Sequence, residues 1–452
     1  MKVLLVNKFF YRKGGSETYL FALAEGLHEQ GHEVAFFSMC HPSNAESSWN
    51  KYFVSEKEYN GKISVVQKAK AALTIAYSFE ARNKFEALLN DFQPDVIHLN
   101  LVHRQITFAI LDAPYLKKHR VPVVYTSHEY SLICPAYTMI NGHRENCEAC
   151  IHGAFGHVVS NVCTKGSMAK SLLSGFEAEF LKHTHSYDKI DLIIACSNFM
   201  KKKLDEGGYG NRTIALQNFL SRAQVKMGEC VSNGQKYGDE LSGKRPYFLF
   251  FGRLSKEKGV LSLLRAFIAS CRPVASDSCL PQNWDLHIVG EGPEYASIVR
   301  LLDEAPRLLR PRIIISGYKS GIELYNEIGN ARFSVLPSEW YENMPYSGLE
   351  SLASQTPVIG GDIGGIPEIV LEGKTGFLFP SGDIESLSSR LIAAANLAES
   401  EYSAMQHECQ DYIQTRCSQN RYIEDLVEQY RQLCDGSNSK LIDNCMTPEA
   451  DK

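Results

Sequence analysis

The chain has 452 residues, 44% of them apolar and 22% charged, with a formal net charge of -5. At roughly 100–200 residues per domain, this length holds two or three domains, each able to bury its own core. The mild acidity excludes a general nucleic-acid footprint, and no apolar run approaches the roughly 18 residues of a membrane-spanning helix.

The start, Met1-Lys-Val-Leu-Leu-Val-Asn-Lys8, has only a short apolar run and no small-residue cleavage site, so no signal peptide is expected. Val3–Val6 reads as a first buried strand. Gly14-Gly15-Ser-Glu-Thr18 leads into a helix with Leu20, Leu23 and Leu27 on one face, and Gly31 ends it. Val34–Phe37, Val96–Leu99, Val123–Thr126 and Leu192–Cys196 read as further strands. From Ser221 to Arg245 the chain is polar and aperiodic, as expected of a linker or surface excursion. Alternation then restarts with Tyr247–Phe251, Leu286–Val289, Ile313–Ile315, Phe333–Leu336 and Val358–Ile359. Continuous apolar runs separated by helical patterns indicate parallel sheets covered on both faces, hence two doubly wound α/β domains. The expected boundaries are 1–220 for the first domain, with a cysteine-rich insert at about 131–165, then a linker at 221–245 and a second domain at 246–405. C-terminal helices at 406–434, with the option of packing back on the first domain, and a polar tail at 435–452 complete the division.

Ligands in open parallel sheets sit beyond the carboxyl ends of the strands. Arg253 and Lys258 follow the Tyr247–Phe251 run, with Gly252 and Gly259 allowing tight turns. Such fixed cations suit a diphosphate, the guanidinium as a fork and the ammonium as a point charge. Gly14 and Gly15 stand before a helix N-terminus, where free N–H groups and about half a positive charge favour an anion. Each feature alone is more often a plain turn or helix start. Gly290-Glu-Gly292-Pro reads as a tight turn after a strand.

Met344–Ala353 reads as a helix with Pro345 in its first turn, Glu342 in the loop before it and Glu350 inside. Eight residues of straight helix cover roughly 12 Å. Paired carboxylates of glycoside hydrolysis stand about 5–5.5 or 6.5–9.5 Å apart, which disfavours a hydrolase. Widely spaced acids suit two separate diols, such as a sugar and a ribose, with the Asn343 and Met344 N–H groups facing phosphate or sugar oxygens. The plainer alternative is a first-turn acid and a solvated helix residue.

Thirteen cysteines, odd in number and mostly scattered, fit reduced thiols in a cytoplasmic protein. Cys134, Cys147, Cys150 and Cys163 form Cys-x12-Cys-x2-Cys-x12-Cys, which suits a structural zinc, with His143, His152 and His157 as substitute ligands. A pack of reduced thiols in a loop-rich insert is the alternative. Between Lys165 and Tyr187, Met168, Leu172, Leu173, Phe176, Phe180 and Leu181 alternate with Lys165, Lys170 and Lys182, and Lys201-Lys-Lys203 lies nearby. This stretch fits either a core-facing helix or peripheral contact with an anionic membrane.

Several segments in order carry a resemblance: Gly14-Gly15-Ser16-Glu17, Thr126-Ser-His128-Glu-Tyr130, Gly252-Arg253-x4-Lys258-Gly259, Glu342-x7-Glu350 and Gly361-Asp-Ile-Gly-Gly-Ile-Pro-Glu368. From Met1 to about Tyr430 the chain resembles the retaining nucleotide-sugar glycosyltransferases of family 4. That resemblance implies the GT-B fold, an α/β architecture of two doubly wound Rossmann-like domains facing an interdomain cleft. It implies that the second domain binds the donor and the first the acceptor. Arg253 and Lys258 would take the donor diphosphate, Glu350 the ribose, Glu342 the transferred sugar with His128 near it, and Gly317-Tyr318 the base. Glu129 stands where many relatives carry Asp. The chemistry would need no cofactor, since cations replace the metal and no Asp-x-Asp pair occurs. The implied partners are a nucleotide-sugar donor and a saccharide or lipid-linked saccharide acceptor of surface-polysaccharide assembly, with no nucleic acid. The implied location is the cytoplasm, at or near the inner face of the membrane. A nucleotide-sugar epimerase of the same fold and a catalytically silent sugar-binding module are the competing readings.

Overall fold

A computed structural model describes residues 1–56, 74–232, 245–271 and 279–436. The chain divides into two compact units. The first holds Met1–Cys196, Met200–Leu216 and the segment from Asn420 on; the second holds Ser197–Phe199 and Gln217–Gln419. Each is built on a six-stranded parallel sheet.

In the first unit the strands β1 (Lys2–Val6), β2 (Glu33–Phe37), β3 (Val96–Leu99), β4 (Val123–Ser127), β5 (Leu192–Ala195) and β6 (Thr213–Ala215) lie in the order β2-β1-β3-β4-β5-β6. The interior strands β3 and β5 are mostly Val, Ile and Leu and are buried throughout, because helices cover the sheet on both sides. The order reverses between β1 and β3, so the carboxyl ends of these two strands flank the crevice where doubly wound sheets bind ligands.

The second sheet is formed by β7 (Tyr247–Phe251), β8 (Asp285–Val289), β9 (Ile313–Ser316), β10 (Phe333–Leu336), β11 (Val358–Asp362) and β12 (Gly376–Pro380), in the order β12-β11-β10-β7-β8-β9. Here the order reverses between β7 and β10. Phe248, Phe250, Leu286, Ile288, Phe333 and Val335 interlock with Leu263, Leu264 and Phe267 of the helix Val260–Ser270 to form its core.

The division departs from the expected boundaries at two places. The expected linker 221–245 contains a helix, Arg222–Ser232, in the second unit; residues 233–244 lie outside the described residues. That helix lies so close to the helix Tyr346–Ala353 that a Cβ on Gly228 would stand 2.4 Å from the Ala353 carbonyl oxygen. The C-terminal helices separate: Glu399–Arg416 stays with the second unit, while Gln419–Cys434 falls to the first from Asn420 on. There the Tyr422 hydroxyl meets that of Tyr19 at 2.6 Å, and the Tyr430 hydroxyl meets His98. Pro345 is the N-cap of Tyr346–Ala353 rather than a first-turn residue, with φ -69 and ψ 128. The polar tail, from 437 on, lies outside the described residues.

Candidate active site

In the second unit the residues singled out from the sequence gather at the switch point. β7 ends at Phe251, Gly252 turns the chain with φ 142, and Arg253 stands exposed. A short 3-10 turn, Lys256–Lys258, then delivers Lys258. Gly259 follows with φ 67, and a Cβ there would stand 1.7 Å from the Pro337 carbonyl oxygen. Only glycine therefore lets the loop after β7 press on the loop after β10. The contact brings Lys258 Nζ to 2.5 Å from Glu342 Oε1, and Ser338 Oγ donates to the same oxygen at 2.7 Å. Glu342 is buried, with 5% of its surface exposed, so its charge is matched by an ammonium and a hydroxyl.

The Gly364-Gly365 pair fixes the backbone of that loop. Gly365 N–H donates to the Glu342 carbonyl at 2.8 Å. A Cβ on Gly365 would fall 1.6 Å from the Asn343 carbonyl oxygen, and one on Gly364 would fall 2.3 Å from that of Glu342. Met344 is buried beside them and Asn343 is half-buried.

The turn after β8 holds the Arg253 loop. Leu254 N–H donates to the Glu291 carbonyl at 2.8 Å, and a Cβ on Gly290 would meet the Gly252 oxygen at 1.9 Å. Gly290-Glu-Gly292 is thus the tight turn expected, with an anchoring task. Beyond β9, a Cβ on Gly317 would come within 3.7 Å of Glu291 Oε1, and Tyr318 is 73% exposed.

Glu350 is not the solvated helix residue of the plainer alternative. Its Oε1 accepts from Gln224 Nε2 at 3.3 Å, and Gln224 comes from the helix that replaces the expected linker. Burial pushes the Glu350 carboxyl up to about 7, with the Gln224 hydrogen bond pulling the other way.

Gly14, Gly15 and His128 belong to the first unit. Gly14 is the N-cap of the helix Gly15–Glu29 and Gly15 its first residue, with no side chain capping that end. The buried Glu17 carboxylate also stands there: Oε1 accepts from Asn7 Nδ2 at 3.2 Å and from Ser16 Oγ at 3.0 Å. His128 follows β4, with Nε2 at 2.9 Å from Asn100 Oδ1 and Nδ1 at 3.8 Å from Cys196 Sγ. Burial lowers its pKa to about 3, so the imidazole is neutral at ordinary pH.

Cys134, Cys147, Cys150 and Cys163 line a single small cavity of about 10 Å³, joined by His157 rather than His143 or His152. Burial pushes the Cys134 thiol up to about 11 and that of Cys150 up to about 12. Among the described residues, no group of three or more Cys, His, Asp or Glu side chains is placed to hold a metal ion. The apolar stretch nearby forms the helix Met168–His183, and it is not simply core-facing. Ser171, Ser174, Glu177, Ala178 and Leu181 point inward, while Met168, Leu172 and Phe176 are 51%, 55% and 43% exposed. No helix among the described residues is long and apolar enough to cross a membrane.

Sequence reasoning missed Ser338, which shares the Glu342 oxygen, and Gln224, which holds Glu350. Neither carries a signal, since a serine after a strand and a glutamine in a polar stretch are both unremarkable. Asn7 and Glu17 were equally unmarked as a pair.

A family model described as "Glycosyl transferases group 1" matches residues 236–413, and one described as "Glycosyltransferase Family 4" matches residues 13–218. An uncharacterized 42.6 kDa protein in the cps region of Klebsiella pneumoniae is 24% identical over 389 residues, covering 82% of this chain and 87% of its own length. A putative colanic acid biosynthesis glycosyltransferase of Salmonella typhimurium is 26% identical over 248 residues, covering 53% and 55%. Among solved structures, Anabaena HepE in complex with UDP and glucose aligns with a TM-score of 0.63 at 16% identity, covering 96% of this chain and 100% of that one. The fold is GT-B.

Proposed function

Because the chain belongs to glycosyltransferase family 4, we propose that it moves a sugar, with retention of configuration, from a nucleotide-sugar to a saccharide or lipid-linked saccharide in surface-polysaccharide assembly. The observation that carries this reading is the Lys258–Glu342 pair at the switch point of the second sheet, with Arg253 at the end of the adjoining strand. In this proposal Arg253 and Lys258 take the diphosphate, Glu342 a hydroxyl of the transferred sugar, Glu350 the ribose and Tyr318 the base. As the anomeric C–O bond to phosphate breaks, the acceptor oxygen bonds to the same face of the anomeric carbon. The acceptor proton passes to the departing phosphate oxygen. Arg253 and Lys258 stabilise the charge growing on that phosphate, so the step needs no metal.

The test is a thermal-shift panel of nucleotide-sugars, beginning with UDP-glucose, followed by transfer assays of Glu342→Ala with the best donor. Loss of transfer is expected, and unchanged activity would refute the assigned role. We also assign the four cysteines to a structural zinc site that closes when the ion binds, on the ground that all four line one cavity. About one zinc per purified chain is then expected, and a value far below that removes the assignment. The outward apolar stripe of the helix Met168–His183 fits contact with an anionic membrane surface.

A further inference from the structure

The helix Arg222–Ser232 lies between the segments matched by the two family models, 13–218 and 236–413, and the reading above gives it no role. One face of it is buried, at Gln224, Gly228 and Val231, which are positions i, i+4 and i+7. A Cβ on Gly228 would stand 2.4 Å from the Ala353 carbonyl oxygen, and a Cβ on Gly329 would stand 2.2 Å from Val231 Cγ1. The helix is therefore held at close range by the helices Tyr346–Ala353 and Gly321–Asn330. One turn before Gly228, on the same face, Gln224 meets Glu350, with Nε2 at 3.3 Å from Oε1.

A buried amide has two ends, and the end that meets a carboxylate decides the sign of the contact. Here the start of the helix decides it. Ser221 is the residue before the helix, and its carbonyl accepts from Val225 N–H at 3.0 Å. Ser221 Oγ accepts from Gln224 N–H at 3.3 Å, and Gln224 Oε1 accepts from Ser221 N–H and Ser221 Oγ, both at 3.1 Å. This is the reciprocal capping of a serine by a glutamine three residues on. Two donors claim the amide oxygen, so the amide nitrogen faces Glu350. Turned about, the amide would set nitrogen against the Ser221 N–H and oxygen against the carboxylate. A donor held in this way stabilises the charged carboxylate and works against burial.

The other groups packed around Glu350 leave that task to Gln224. Tyr325, from the helix Gly321–Asn330, has its pKa raised by burial and by the Glu350 charge. Cys409 and Tyr412, from the helix Glu399–Arg416, sit in the apolar cluster of Leu349 and Leu352, where burial raises both. Glu368, the charged residue of the turn Ile366–Ile369, accepts from the Asn198 and Phe199 N–H groups.

We propose that Gln224 is a positioning residue of the donor site: oriented by its helix cap, its amide nitrogen aims the Glu350 carboxylate at the ribose diol and favours its charged form. The proposal rests on the ribose-binding reading of Glu350 for its ligand, while the linkage between Gln224 and Glu350 stands without it.

The test compares Gln224→Glu and Gln224→Leu with wild type in the full chain. Glutamate keeps the side-chain length and is favoured at this cap position, so a merely structural Gln224 predicts wild-type behaviour for Gln224→Glu. A positioning Gln224 predicts otherwise, because a second carboxylate against Glu350 disfavours its ionisation. In both variants the pH at which UDP affinity rises, read by calorimetry, should move up by about one unit. Gln224→Leu should then weaken UDP about fivefold at pH 7 and by less than about twofold at pH 9. Urea melts need no nucleotide. The variant carboxyl keeps its proton to higher pH than the wild-type one, so the stability deficit of each variant should grow between pH 5 and pH 9. Deficits and affinity losses equal at every pH, or a Gln224→Glu variant that matches wild type, overturn the positioning role. A deficit that grows with pH in protein that binds none of UDP, GDP and ADP upholds the linkage and overturns the ribose reading.

Discussion

The two sheets share strand number and parallel sense, yet different side chains gather at their carboxyl ends. In the second unit two charges are bonded directly, Lys258 to Glu342 at 2.5 Å, and Arg253 stands exposed at the strand end. In the first unit burial lowers the pKa values of three histidines, His98, His103 and His128, to about 3, which keeps these three neutral. Parallel sheets therefore dictate where ligands can sit, while the loops at their carboxyl ends decide which charge is met there. In the proposed mechanism the second switch point meets an anion that gains charge.

The sharpest way to break this contrast is Lys258→Ala. In the proposed mechanism it removes a cation from the departing phosphate, and it leaves the buried Glu342 with the Ser338 hydroxyl as its remaining side-chain partner among the described residues. The expected loss in kcat is about 10²–10³-fold, the range seen when a preorganised charge stabiliser is removed. Stability should also fall by roughly 1–3 kcal/mol, because a buried carboxylate loses its ionic partner. Steady-state kinetics with the best donor and urea melts read both. A kcat within a factor of a few of wild type sinks the assignment of charge to this switch point.

A smaller effect concerns Glu350. Its folded pKa of about 7 lies above the ordinary value of 4.5, so the folded protein holds this proton more tightly than the unfolded chain. The sign follows from linkage: this carboxyl favours the fold below its unfolded pKa, and that contribution is lost as pH rises through about 7. With Glu350 in its proposed ribose-binding role, a diol would donate to the ionised form, so nucleotide affinity should rise about tenfold between pH 6 and pH 8 and then level off. Calorimetric titrations of nucleotide at several pH values measure it. His128, already neutral, should add no step in that interval. Glu350→Gln should flatten the profile, and a rise that persists in this variant removes Glu350 as its cause.

What was legible in the sequence follows the same physics. Val96–Leu99, Tyr247–Phe251 and Phe333–Leu336 are interior strands whose continuous β-branched and aromatic runs carry their own signal. The strands that went unread, Thr213–Ala215 and Gly376–Pro380, are the outer strands β6 and β12. One has only three residues, and the other is bracketed by Gly and Pro, which read as turns. The helix Arg222–Ser232 escaped because its buried residues are Gln224, Gly228 and Val231, two of which carry no apolar side chain. Glu342, Glu350, Arg253 and Lys258 were readable from order and spacing, whereas Ser338 carries no pattern although it lies four residues from Glu342, and Gln224 meets Glu350 only through a contact between distant segments.

The helix Met168–His183 differs from its counterparts in the second unit in a way that yields the mildest prediction. The helix Val260–Ser270 buries Leu263, Leu264 and Phe267, as an amphipathic helix on a sheet should. Met168–His183 instead leaves Met168, Leu172 and Phe176 exposed, beside exposed Lys165 and Lys170. An apolar stripe flanked by ammonium groups gains from the interface of an anionic bilayer through both burial and charge. Full-length protein should float with vesicles containing phosphatidylglycerol at low salt and be released as salt rises. Leu172→Ser removes about one apolar side chain from that contact and should lower the bound fraction about fivefold. Because Leu172 is 55% exposed, the same substitution should leave thermal stability within about 0.5 kcal/mol of wild type. Wild-type protein that stays at the bottom of the gradient, or a Leu172→Ser variant that floats equally well, shows that the stripe serves no membrane.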